Sequence, residues 1–207
     1  MTALPELLID GPRRAELTLA LAHGAGAPMD SRFMTAIARG IAAAGIRVVR
    51  FEFPYMAVRR AGGGKRPPDC QPVLLDCWRR VIGHLGPERL AIGGKSMGGR
   101  MASLIADETG VRALVCLGYP FHAPGKADRP RTAHLGELKT PTLICQGTRD
   151  AMGGRESVAG YRLSPAIRIH WLEDGNHDLV PRKASGRTGG ENWAEAIAAM
   201  TGFLRGL

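Results

Sequence analysis

The chain has 207 residues, of which 44% are hydrophobic and 23% charged. That length builds one well-buried core and is too short for two ordinary domains, so one domain over residues 1–207 is expected. The net charge of +9 comes mostly from arginine, only five of the basic residues being lysine. These charges are scattered, with no run of five or more, no basic recognition helix and no basic strand interleaved with aromatics, so nucleic acid is not an expected partner.

No apolar run approaches the roughly 18 residues of a spanning helix, so no membrane is expected either. The opening MTALPELLIDGPRR has no basic n-region, and Glu6 and Asp10 interrupt its apolar stretch, so it does not read as a signal peptide. Cys70, Cys77, Cys116 and Cys145 show no CxxC spacing. Cys116 and Cys145 sit inside apolar runs, where a thiol acts as a small hydrophobe. Reduced cysteines and a cytoplasmic location are the expectation. The histidines and cysteines have no HExxH or paired CxxC spacing, so no metal is expected.

In chain order, residues 17–23 (LTLALAH) read as a strand ending in Gly24-Ala25-Gly26. Asp30 or Ser31 can cap a helix whose apolar face is Phe33, Ile37, Ile41 and Ala44, stopped by Gly45. Residues 47–53 (RVVRFEF) form the next strand, closed by Pro54, and residues 59–69 a loop rich in Gly, Pro and charge. Pro72 suits the first turn of a helix carrying Val73, Leu74, Cys77, Val81 and Leu85. Residues 90–93 are a short strand that enters Gly94-Lys95-Ser96-Met97-Gly98, and residues 100–107 a helix that leaves it. Residues 111–117, 142–146 and 167–172 are three more strands, and residues 193–204 a closing helix with Trp193, Ile197 and Met200 on one face. Strands alternating with helices imply an α/β fold with a mostly parallel sheet covered on both faces. Ligands of such sheets bind beyond the carboxyl ends of the strands.

The segment 94–98 matches G-x-S-x-G, with an apolar strand before it and a helix after it. This is the context of a nucleophile elbow: a sharp strand-to-helix turn lifts the serine hydroxyl above the sheet, and flanking glycines let strand and helix approach. Gly94-Lys95-Ser96 also looks like the end of a phosphate loop, but the position of its first glycine is Arg89 and residues 90–92 are strand.

A serine hydroxyl needs a base, and the base an orienting carboxylate. In elbow hydrolases the chain order is Ser, acid, His. Asp150 follows the strand TLICQ, and His177 follows IRIHWL, both after Ser96. The expected catalytic set is therefore Ser96, Asp150 and His177. Asp174 and Asp178 are rival acids, ranked lower because each is too near His177 to present a carboxylate from a neighbouring strand. His170 lies within a strand, His84 on a helix, and His122 and His134 precede the acid.

His23-Gly24-Ala25-Gly26 resembles the HGGG-type loop that supplies one oxyanion donor while the residue after the nucleophile supplies the other. Ala25, Gly26 and Met97 are the expected oxyanion-hole residues, with Ala27 also in reach; Pro28 has no N–H. A dinucleotide-binding reading of this loop fails at its third glycine, where Met29 stands, and no cofactor is expected. Met29, Tyr55, Tyr119 and Phe121 are expected to wall the substrate site. Arg59, Arg60, Lys65 and Arg66 could draw an anionic substrate.

The elbow GGKSMGGRMAS, the loop LAHGAGAPMDS, the segment LGYPFHAPGK, the turn QGTRD and the closing GNHDL resemble the compact α/β hydrolases related to dienelactone hydrolases. More closely still, they resemble a small hydrolase-like group that includes a testis-expressed protein and a subunit of the non-specific-lethal chromatin complex. The resemblance spans nearly the whole chain and implies an α/β-hydrolase fold with Ser96, Asp150 and His177 as the triad. Dienelactone hydrolases proper carry Cys where this chain has Ser96. Only residues 119–140 separate two strands where larger hydrolases insert a cap, so no large cap domain is expected. The expected activity is hydrolysis of a small ester, thioester or lactone. The competing expectation is a hydrolase-like binding or interaction module with a vestigial triad. The expected partner is a small-molecule ester-type substrate; no oligomeric state is assigned.

Overall fold

The computed structural model describes residues 4–207. Among these, seven strands form one sheet in the order β1-β3-β2-β4-β5-β6-β7. They are β1 (Leu7–Asp10), β2 (Thr18–Ala22), β3 (Arg47–Phe51), β4 (Leu90–Lys95), β5 (Ala113–Leu117), β6 (Thr142–Gly147) and β7 (Ile167–Leu172). All neighbours run parallel except β1, which lies antiparallel against β3 at the edge.

The central strands are apolar throughout because both faces of the sheet are covered. Side chains alternate between faces with period two. Leu19, Leu21, Ala91, Val115 and Cys145 pack against α1 (Arg32–Ala43) and α7 (Gly189–Arg205). Ala20, Ala22, Ile92, Cys116 and Ile144 pack on the other side, against α3 (Gln71–Leu85), α4 (Met97–Ser103) and α5 (Ala106–Thr109). Ser31 caps α1, its hydroxyl accepting from the Met34 N–H, and Thr188 with Glu191 closes a capping box on α7.

Four features depart from the sequence reading. β1 is a half-exposed edge strand, too short and mixed to show a period. Residues 54–60 form a further helix, α2 (Pro54–Arg60), with Pro54 in its first turn, so the proline that closes β3 also opens a helix. Arg59 and Arg60 therefore end a helix and do not lie in a loop. The elbow helix is split into α4 and α5. A further short helix, α6 (Arg155–Ala159), follows β6. Between β5 and β6 the chain is loop with one 3-10 turn at Ala133–Gly136, and no cap domain stands over the sheet. No described helix is long and apolar enough to cross a membrane.

A buried polar cluster anchors this 118–141 connection. The Ser103 hydroxyl lies 2.8 Å from His134 Nε2 and 2.9 Å from the Tyr119 hydroxyl, and it donates to the Arg100 carbonyl. Burial, aided by the Arg100 charge, lowers the His134 pKa to about 4. The unfolded chain protonates this histidine near 6.5, so stability is full above that pH and is lost as pH falls towards 4. His134→Gln should flatten the decline of the urea midpoint between pH 7 and 4. Equal slopes for the variant and the wild type would show that His134 does not couple to folding.

Candidate active site

β4 ends at Lys95 and α4 begins at Met97, which leaves Ser96 to make the whole turn. Its backbone sits at φ 50° and ψ −117°, a sparsely populated region costing roughly 1–3 kcal/mol. Hydrogen bonds on both sides hold it there: the Ser96 N–H donates to the Leu117 carbonyl and the Ser96 carbonyl accepts from the Arg100 N–H, each at 2.9 Å. α4 then presses against the end of β2. A Cβ on Gly98 would meet the carbonyl oxygens of Ala22 and His23 at 2.5 and 2.6 Å, so only glycine fits.

The loops after β6 and β7 bring two more groups to Ser96. His177 Nε2 lies 2.8 Å from Ser96 Oγ, and His177 Nδ1 lies 2.8 Å from Asp150 Oδ2. A carboxylate only accepts, so Nδ1 carries the proton and Nε2 is free to accept from the serine hydroxyl. The Asp150 carboxylate is fully buried. It also accepts from Gln146 Nε2 at 2.9 Å and from the Met152 N–H at 2.8 Å. The His177 loop is shaped by Asn176, whose side-chain oxygen accepts from the N–H groups of Asp178 and Val180. Gly118, at φ 58°, lets this loop close over β5: a Cβ there would lie 2.4 Å from the His177 carbonyl oxygen.

The two rival acids are engaged elsewhere. Asp174 receives the Arg182 side chain and backbone N–H as well as Arg149, and Arg182 holds its pKa down to about 2. Asp178 pairs with Lys95 at 3.2 Å.

The loop 24–31 runs beside Ser96; a Cβ on Gly24 would lie 3.7 Å from Ser96 Cβ. Buried His23 ties it down, its Nδ1 2.6 Å from the Gly24 carbonyl while Nε2 accepts from the Phe53 N–H at 3.1 Å. Burial lowers the His23 pKa and so keeps the ring neutral for these two roles. The Tyr55 hydroxyl donates to the Ala25 carbonyl at 2.9 Å. Further along, the Met29 N–H donates to Glu52 and its carbonyl accepts from buried Arg50. Arg60 bridges Glu52 to Asp30. The carbonyls of Gly24, Ala25 and Met29 are thus each held by a side chain, and Ala25, Gly26 and Ala27 line a cavity of about 340 Å³ together with Ser96 and His177.

The remaining walls of that cavity are Gly24, Ser31, Phe33, Met34, Lys95, Met152 and Asp178. None of the four expected wall residues lines it. Tyr119 and Phe121 are core residues beneath the 118–141 connection, Tyr55 supports the glycine loop from below, and Met29 contributes its backbone to the charged network. These aromatics follow strand ends as wall residues would, but the chain turns them inward for burial. Arg59, Arg60, Lys65 and Arg66 also stand outside the cavity lining. A larger hollow of about 590 Å³ lies behind the Asp150 turn and includes neither Ser96 nor His177. Among the described residues, no group of three or more His, Cys, Asp or Glu is placed to hold a metal ion.

The sequence reading passed over Gln146, whose signal was a lone amide closing the apolar strand TLICQ four residues before the acid. It also passed over Lys95, a cation inside the elbow motif.

Residues 15–205 match the model of a family described as an alpha/beta hydrolase domain. The chain belongs to this family. Solved structures agree with the fold. A serine hydrolase homologue from Coxiella burnetii is 20% identical, with a TM-score of 0.65 over 97% of this chain and 90% of that one. A serine hydrolase without a lid from Xanthomonas campestris is also 20% identical, with a TM-score of 0.66 over 97% and 86%. A monoacylglycerol lipase of Paleococcus ferrophilus is 16% identical, with a TM-score of 0.70 over 96% and 99%.

Gln146 gives this alpha/beta hydrolase domain a direct test of how Asp150 is held. Its side-chain oxygen accepts from the Tyr119 N–H at 2.7 Å, and its amide donates to Asp150 and to the Gly153 carbonyl. Gln146→Met leaves that buried N–H without an acceptor, which costs about 1–3 kcal/mol. Urea unfolding should show this loss; a variant as stable as the wild type would mean that water or a neighbour takes over the bonds.

Proposed function

We propose that the protein is a serine hydrolase that cleaves a small carboxylic ester, thioester or lactone through an acyl-enzyme intermediate. The observation that carries this reading is the unbroken chain Asp150–His177–Ser96, with two links of 2.8 Å, standing on a strained elbow at the wall of an open cavity. Ser96 Oγ adds to the carbonyl carbon while its proton passes to His177 Nε2. Asp150 keeps the ring oriented and stabilises the imidazolium. The carbonyl oxygen becomes an oxyanion held by the Met97 N–H and an amide of Ala25 or Gly26. Collapse expels the alkoxide or thiolate, which takes the proton back from His177. Water then repeats the sequence: it gives a proton to His177, adds to the acyl carbon, and releases the acid as Ser96 regains its proton.

The Gly24–Gly26 loop supports this assignment of donors, because Tyr55 occupies the Ala25 carbonyl and the loop lines the cavity together with Ser96. Within the family we place the chain beside the dienelactone-hydrolase-related group and the hydrolase-like group with the testis-expressed protein. The elbow GGKSMGGR and the QGTRD and GNHDL turns support that placement. A cytoplasmic setting fits the four free cysteines, three of them buried.

A fluorophosphonate tests the reading without knowledge of the natural substrate, since it is attacked only by an activated serine. We expect stoichiometric labelling of Ser96, located by mass spectrometry, and none in Ser96→Ala. His177→Ala and Asp150→Asn should slow labelling by about two orders of magnitude or more. Folded wild-type protein that fails to label would make the binding-module reading the better one.

A further inference from the structure

One charged group at this site has no part in the hydrolytic steps. Lys95, immediately before the nucleophile, is buried at the strand end with only 9% of its side chain exposed. Lys95 lines the cavity that holds Ser96, and its ammonium lies 5.8 Å from the centre of the Phe33 ring, which lines it too. A Cβ on Gly118 would touch both Lys95 Nζ, at 3.3 Å, and His177 Nδ1, at 3.4 Å, so the cation and the imidazole flank the same glycine. Among the described residues the one ionic partner of Lys95 is Asp178, at 3.2 Å, and 64% of that side chain is exposed. An ammonium has three donors, and a single carboxylate reached from the rim satisfies few of them. Burial without full pairing is costly for a lysine and lowers its pKa, which Asp178 and Asp150 only partly oppose. A buried ion pair made only for structure would be enclosed with its partner; here the partner is at the solvent edge and can be displaced.

We propose that Lys95 is the specificity-determining residue of this site: its ammonium receives a carboxylate carried by the substrate, which takes the place of Asp178. The substrate class is then a small ester, thioester or lactone bearing a second, ionised carboxyl group. This inference rests on the hydrolase reading for its chemistry, but the cation's role can be measured separately. It also moves the source of anion selectivity from the arginines after β3 to the elbow itself. Arg60 is already paired with Glu52 and Asp30, and the other three line no part of the cavity.

The test compares kcat/KM for mono-4-nitrophenyl glutarate with that for 4-nitrophenyl butyrate. The ratio should fall at least about tenfold in Lys95→Met, as expected when a partly buried charge loses its counterpart, and recover in part in Lys95→Arg. Asp178→Asn should raise the ratio, and only while Lys95 is present. A purely structural ion pair would move both single variants in the same direction. A ratio within twofold of wild type in Lys95→Met overturns the proposal and leaves the hydrolase reading intact. If neither ester is turned over and Ser96 does not label, the hydrolase reading fails, and glutarate binding to Ser96→Ala decides the fate of Lys95. Calorimetry should detect binding that Ser96→Ala/Lys95→Met lacks; equal binding, or none to either, overturns the proposal. Should Lys95→Met fail to fold, Asp178→Asn still decides: an unchanged or lower ratio, or unchanged glutarate affinity in the Ser96→Ala background, rejects it.

Discussion

Everything at this site depends on how closely α4 can approach the end of β2. With Gly98 against the carbonyl oxygens of Ala22 and His23, the strand-to-helix turn has no room for an extra residue or a side chain, and Ser96 must take φ 50° and ψ −117°. The bonds from Ser96 to Leu117 and Arg100 then make the strain part of the fold and not a local accident. Because the elbow sits on β4, between β2 and β5, the loops leaving its neighbours reach the serine from two sides. The glycine loop comes from β2, and Asp150 and His177 come from β6 and β7 on the far side of β5.

The polar groups around the site divide into those that hold backbone and those that face the cavity. His23, Tyr55, Arg50, Glu52 and Arg60 all bind backbone or one another, and together they fix the 24–31 segment. Gln146 and the Met152 N–H do the same for Asp150. Each is satisfied, as groups withdrawn from water must be; Arg60 is the exposed one among them. Lys95 differs from them in being itself buried while the carboxylate it pairs with, Asp178, is exposed.

How much of this could be read from the sequence follows from which constraints are local. The parallel strands announce themselves because burial on both faces writes a continuous apolar run, as in ALVCL or TLICQ. That Ser96, Asp150 and His177 would meet was legible because an elbow needs glycines at fixed spacing and because the two other residues follow strand ends in order. β1 was not, since an exposed edge strand needs no apolar alternation, and α2 was hidden by a proline that suits a strand end and a helix start equally. The wall residues were misplaced for a related reason: an aromatic beside a strand end packs inward or outward according to long-range contacts. Tyr119 turns in to meet Ser103 and His134, distant in sequence and adjacent only in the fold. Phe33 and Met152, which do line the cavity, lie on segments whose patterns spoke of core and turn.

A crystal structure of the protein reacted with a phosphonate would interrogate the elbow and the glycine loop in one observation, since the adduct holds an oxygen where the oxyanion would form. One phosphonyl oxygen should accept hydrogen bonds of about 2.7–3.1 Å from the Met97 N–H and from an N–H within residues 25–27, with the Tyr55-to-Ala25 bond retained. An adduct whose oxygens point to solvent, leaving both amides unengaged, would contradict this reading of the site.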